Sequence, residues 1–237
     1  MRSAVCVLIA FALAAPGCQT TSSADSSDMA VEEDLRRPRA DMATRCELPY
    51  DLRLIDEVST GAVMVMRLSD NPVVYSAKVD ASAGGSMAAS SRPYVYLDLV
   101  RAAKVDLTDV QARDSTAWDI ALKRYQIKIN SGDSGPGGVT AAVVRGKELS
   151  EVTMAPAQGY VEDDYIDENC NVFMDAIGGL ATALSDWYSY QNMQLSPHKD
   201  TFVLKRRDGM GFIKLQILSY YDMGRSGVYT LRWGFLP

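Results

Sequence analysis

Histidine is nearly absent from this sequence: His198 is the only one in 237 residues. Mechanisms that need two imidazoles are excluded, and a histidine-based triad has a single placement. Positive charge is also short, with 24 Lys plus Arg against 30 Asp plus Glu, a net charge of −6. Removing the first 17 residues takes away only Arg2, so the deficit persists in a processed chain. A surface without cationic excess does not grip nucleic acid through its phosphates. No run of apolar residues is long enough to span a bilayer; the run Ala4 to Ala15 falls short of the roughly 20 residues required. What the chain does have is 47% hydrophobic residues, enough at this length for one good core.

The start of the chain reads as an address. Arg2, the apolar run and the small residues Ala14-Ala15-Pro16-Gly17 form the three parts of a secretory signal over residues 1–17. Cys18 follows directly and resembles the lipidated cysteine of a bacterial lipoprotein, although Ala15 and Pro16 depart from the usual box; ordinary signal cleavage is the alternative. Either route takes the protein out of the cytoplasm, and lipidation implies a cell-envelope, outer-membrane lipoprotein. Residues 18–45 are rich in Ser, Thr, Asp and Glu and read as a solvated tether, in which Arg36, Arg37 and Arg39 are offset by Glu32, Glu33 and Asp34. Cys6 leaves with the signal, so Cys46 and Cys170 remain as a disulfide candidate in an oxidising compartment, with free thiols as the alternative. Neither has His or Cys at ligand spacing, so no metal site is expected.

From residue 46 to 237 the dominant pattern is alternation with period two, the mark of half-buried strands. Ala62–Leu68 and Val73–Val79 flank the turn pair Asn71-Pro72, and Tyr94–Leu99 resumes after a Gly/Ser-rich loop over 83–91. Alternation changes phase between Trp118 and Ile129, which requires a bulge or break near Lys123 and Arg124. Phe202–Arg207 and Gly211–Leu218 flank Asp208-Gly209, a pair suited to a tight hairpin, and Tyr229, Leu231, Trp233 and Phe235 give a last strand. A helix is expected only over Val172–Leu184, where the apolar spacing approximates 3.6 residues but Gly178-Gly179 interrupts it. The expected class is all-β, mostly antiparallel, with at most one or two short helices.

Gly132-Asp133-Ser134-Gly135 matches the tetrapeptide around a serine-protease nucleophile. His198 lies downstream of Ser134 rather than far upstream, so the segment reads better as a glycine-rich loop after a strand. A phosphate loop fails as well, since no Gly-Lys-Ser/Thr follows. Glu162, Asp163, Asp164, Asp167 and Glu168 fit no calcium loop and read as a solvated acidic segment. No catalytic function is expected.

Trp118-Asp119-Ile120-Ala121-Leu122-Lys123-Arg124-Tyr125, continuing through Ile127–Asn130 to Gly138, resembles the core signature of the HmuY family of bacterial haem-binding lipoproteins. Further resemblances follow in order: Pro156-Ala157-Gln158-Gly159-Tyr160, Trp187-Tyr188-Ser189-Tyr190, Phe202–Gly209, Lys214–Ile217 and Gly227–Leu231. They cover about residues 90–237. The resemblance implies an HmuY-like β domain, haem or a related tetrapyrrole as ligand, a lipid anchor as membrane partner, and an outer-membrane receptor.

Well-known members of that family clamp haem iron between two axial histidines, and both are lost here. Asn192 stands at the second position, and 161–186 holds no histidine for the first. Methionine thioethers can replace imidazole on haem iron. The resemblance therefore makes Met193, His198, Met154 and Met174 the haem-ligand candidates and Trp187, Tyr188 and Tyr190 the pocket candidates. Each has a plainer alternative: core filler for Met174, partly buried loop for Met154, exposed loop for His198. The function expected is haem binding for acquisition without catalysis. The rival is an HmuY-like scaffold that has lost haem ligation and binds a protein, peptide or glycan.

Overall fold

A computed structural model describes Cys46 and residues 52–236. The expected signal, Cys18 and the tether lie outside the described residues. In chain order the strands are β1 (Val63–Asp70), β2 (Val73–Asp80), β3 (Val95–Asp98), β4 (Ala103–Val105), β5 (Ile120–Lys123), β6 (Gln126–Ile129), β7 (Thr140–Val144), β8 (Tyr188–Gln191), β9 (Gln194–Pro197), β10 (Thr201–Lys205), β11 (Phe212–Asp222) and β12 (Arg225–Leu236). Six form one sheet in the order β1-β2-β12-β11-β10-β7, four form a second in the order β4-β3-β5-β6, and β8-β9 is a separate hairpin. Every strand pairing is antiparallel. The helical elements include Asp109–Ala112, capped by Thr108 and Gln111, and two 3-10 turns, Ala89–Ser91 and Leu149–Glu151.

Alternation explains the core. Ala77 and Val79 of β2, Leu215 and Ile217 of β11, and Tyr229, Leu231 and Trp233 of β12 share one cluster with Val95, Leu97, Ile120, Leu122, Ile127 and Ile129 of the smaller sheet. The two sheets bury their inward faces against each other, as the period-two pattern requires. Polar ties run across the same interface. Trp233 Nε1 donates to Leu99 O at 2.9 Å, and Tyr229 donates its hydroxyl to Arg124 O at 2.7 Å. Arg207, just past β10, donates to Asp98 Oδ2 at 2.7 Å and to Asp119 Oδ1 at 2.6 Å, holding the ends of β3 and β5. Burial pushes the Asp119 carboxyl up, and the Arg207 guanidinium opposes that shift.

The phase change near Lys123 is a hairpin turn. Lys123 pairs with Gln126, Arg124 takes a positive φ of 53°, and the faces exchange as the chain reverses. Asp208-Gly209 turns the chain too, but within a longer connection, since Lys205 pairs with Phe212. The helix expected over Val172–Leu184 does not form. Asp175 Oδ1 accepts from Ile177 N and Gly179 N, and Gly178 takes φ 84°. The chain therefore doubles back, with Met174 bridging Leu180, and local side-chain bonds to the backbone prevail over the helical spacing. Cys46 and Cys170 are joined by a disulfide with Cα atoms 5.4 Å apart, next to a small cluster of Tyr165, Ile166 and Leu180.

Candidate functional site

The β5–β6 turn, the folded-back segment after Val172 and the start of β8 are bonded to one another. Trp187 Nε1 donates to Tyr125 O at 2.9 Å. The Tyr125 and Tyr188 rings meet edge to face with centroids 6.2 Å apart. Tyr188 then donates to Asp175 Oδ2 at 2.9 Å, while Asp175 Oδ1 holds the turn through Ile177 and Gly179. Gly179 fits because it lacks a side chain: a Cβ there would lie 2.6 Å from the Tyr125 ring and 2.9 Å from Asp175 Oδ2. Burial and the neighbouring Asp175 carboxylate both raise the Tyr188 phenol, so it remains a neutral donor.

Beside this junction lies a groove of about 290 Å³. Met174, Leu180 and Tyr125 give it apolar walls, and Lys123, Arg124 and Gln126 give it a polar, cationic side. Met174 is 48% exposed, and its neighbour Phe173 is exposed as well. A thioether, an aromatic wall and the Arg124 cation together suit a flat apolar ligand that carries a carboxylate.

The other sequence candidates are dispersed. Met193, 85% exposed, sits with Asn192 in the two-residue turn between β8 and β9, both with positive φ. Tyr190 is half exposed on β8. Met154, 79% exposed, lines a different cavity of about 460 Å³ with Pro156, Tyr160, Lys205 and Phe212. His198 donates its backbone N–H to Trp187 O and places Nδ1 3.8 Å from Asp200 Oδ2, a carboxylate that Arg145 also binds at 2.8 Å. Trp187 is not an available pocket wall. It is 1% exposed within the main core, packed against Tyr220 and Tyr229. Sequence reasoning missed Tyr125 and Asp175. The signal for Asp175 was its place two to four residues before Ile177, Gly178 and Gly179, where a carboxylate can collect turn amides.

Ser134 and Asp163 have other work than the tetrapeptide suggests. Ser134 donates to Asp163 Oδ2 at 2.6 Å, and the same carboxylate accepts from Ile129 N and Ala183 N, both at 2.9 Å. Asp163 is therefore fully buried rather than part of a solvated acidic segment, and burial pushes its carboxyl up to about 6. Asp133 accepts from Tyr165 N at 2.7 Å and Ile166 N at 2.8 Å. Asn130 fixes the rest of the glycine-rich loop, donating to Ser115 O and Trp118 O and accepting from Gly137 N. Among the described residues no cluster of three or more His, Cys, Asp or Glu could hold a metal ion.

The fold and this site define a class: an antiparallel β domain whose turns and hairpins carry the exposed thioethers and an aromatic, cation-edged groove. The HmuY protein family model matches residues 90–233, and the chain belongs to the HmuY family. Solved structures to which the chain is similar include a proposed lipoprotein of Bacteroides fragilis, with 17% identity over 70% of this chain and 91% of that one and a TM-score of 0.49. A proposed HmuY-like haem-binding protein of Bacteroides vulgatus has 20% identity, coverage of 71% and 94%, and a TM-score of 0.48. The apo HmuY analogue of Tannerella forsythia has 19% identity, coverage of 77% and 100%, and a TM-score of 0.47. No curated protein matches the chain.

Proposed function

We propose that this protein is a cell-envelope lipoprotein that binds haem or a related tetrapyrrole for acquisition, without catalysis, and hands it to an outer-membrane receptor. Membership of the HmuY family supports the ligand class. The single observation that carries the reading is the exposed Met174 thioether at the rim of a groove with Tyr125 on its wall and Arg124 on its polar side. Met174 would offer its sulfur to the iron, Tyr125 an aromatic wall and Arg124 a cation for a propionate. Met193 is the second axial candidate, since its hairpin is tied through Tyr188 to the residue after Met174. His198 and Met154 stand in separate surroundings and serve as controls. The lipid anchor rests on Cys18 and the secretory signal.

Haemin titration of the mature protein, with spectra in the ferric and dithionite-reduced states, tests this. One haem per chain with six-coordinate bands is expected, weakened by Met174→Ala and Met193→Ala and unaffected by Met154→Ala. Weak, non-saturating association that neither of the first two substitutions alters would overturn it. The second reading, a protein-binding scaffold, has one observation in its favour. Met64 and Met66 stand exposed on the outward face of the edge strand β1.

A further inference from the structure

Behind the outer face of the smaller sheet, Tyr94, Tyr96 and Trp118 pack with Ala112 and Ala121 as a cluster separate from the main core. A cavity of about 50 Å³ lies against it, with Tyr165 completing the aromatic wall. One water needs roughly 10–15 Å³ on this measure, so the space exceeds a single water and matches a small polyatomic ion. Four cationic residues line it, Arg53, Arg113, Lys123 and Lys128, against two carboxylates, Asp109 and Asp133.

Both carboxylates accept from neutral donors. Asp109 accepts from Tyr94 N and Tyr96 Oη on one oxygen and Ile55 N on the other; Asp133 accepts the two amides described above. The Lys123 and Lys128 ammoniums lie over the Tyr94 ring at 4.4 and 4.5 Å, and Lys128 also faces Tyr165 at 5.3 Å. Arg113 is the decisive group. Its Nη2 is buried and has no hydrogen-bond partner. A buried guanidinium nitrogen without an acceptor is costly, and an oxyanion in the adjoining space would satisfy it.

We infer that this cavity is an anion site for a small carboxylate of about the size of acetate, held by Arg113 and Lys128 between the rings of Tyr94, Tyr96, Trp118 and Tyr165. The carboxylate oxygens accept from Arg113 Nη2 and the Lys128 ammonium, and the aliphatic end packs on the rings. The site is independent of haem binding.

Acetate is the probe, used on the whole secreted chain with chloride as the control at matched ionic strength. Thermal unfolding followed by tryptophan fluorescence should show a saturable, acetate-dependent rise in midpoint. In Arg113→Gln the acetate concentration needed should increase about tenfold or more, as expected for losing a charged hydrogen bond. No rise with acetate, or an equal rise with chloride, would overturn the assignment, as would an unchanged response in Arg113→Gln. If that variant fails to fold, saturation transfer from aromatic protons to the acetate methyl in the unmodified protein decides: transfer supports the site, and its absence, which would leave water as the occupant, removes it.

Discussion

Tyr188 and Asp175, 13 residues apart, are joined by a hydrogen bond of 2.9 Å from the phenol to Oδ2. That bond fastens the segment presenting Met174 to the strand leading to Met193. A thioether on a folded-back loop is of use as an axial ligand only if the loop is held in place beforehand, because ordering it on binding would cost affinity.

Tyr188→Phe removes this bond and little packing. Its cost in stability should be about 1–2 kcal/mol, because the Asp175 carboxylate keeps two amide donors and is partly exposed to water. Haem affinity should fall by a larger factor than in a control such as Tyr190→Phe. Chemical denaturation and haemin titration of the same samples separate the two effects.

Gly179→Ala should weaken haem binding more than Tyr188→Phe does. The added Cβ presses on both Tyr125 and Asp175, and neither can move without opening the junction. Near-ultraviolet circular dichroism should report the disturbed tyrosine environment.

Asp163 sets a pH dependence of stability. Its folded carboxyl titrates near 6, above the unfolded value of 3.8, so between these pH values the folded state holds the proton and the unfolded state does not. Its contribution therefore favours folding as pH falls from 7 towards 4, by about 3 kcal/mol at most. Denaturation midpoints in Asp163→Asn should lose this component, at a lower overall stability because the amide cannot accept from all three donors. A wild-type and variant profile that run parallel across pH 4–6 would contradict the assignment.

Ser134→Ala should behave as a structural substitution. It removes one donor from a buried carboxylate, costing about 1–3 kcal/mol, and raises the Asp163 carboxyl further. The pH-dependent part of stability should accordingly extend to higher pH.

Arg207→Ala should destabilise by about 3–5 kcal/mol, the range for stripping the partner from buried ions. Asp98 and Asp119 are both buried, and Arg207 binds the two together. Arg207→Lys should recover only part of the loss, since a single ammonium cannot reproduce the two-pronged arrangement. Urea unfolding of the three proteins checks the order.

Much of the fold could be read locally. Met64 and Met66 alternate with Val63 and Val65 along β1, and Tyr229, Leu231 and Trp233 fall on one face of β12, because side chains in a strand alternate whatever the strand packs against. The phase change around Lys123 was visible for the same reason, although only the structure shows it as a hairpin. The region after Val172 was misread because its apolar spacing is compatible with a helix, while the carboxylate of Asp175 and the glycines that follow favour a turn.

The sequence by itself determined an all-β chain of the HmuY family, its strand faces and several of its turns, and it excluded a two-histidine clamp by holding one histidine. These properties depend on composition and on neighbours a few residues away. Tertiary structure alone decided that Trp187 is core while Met174 borders a groove, that Asp163 is buried among Ile129, Ser134 and Ala183, and that Arg113 faces a cavity. Those outcomes depend on which distant strands and loops exclude water from a given atom, and burial of that kind is a property of the packed sheets that local alternation does not encode.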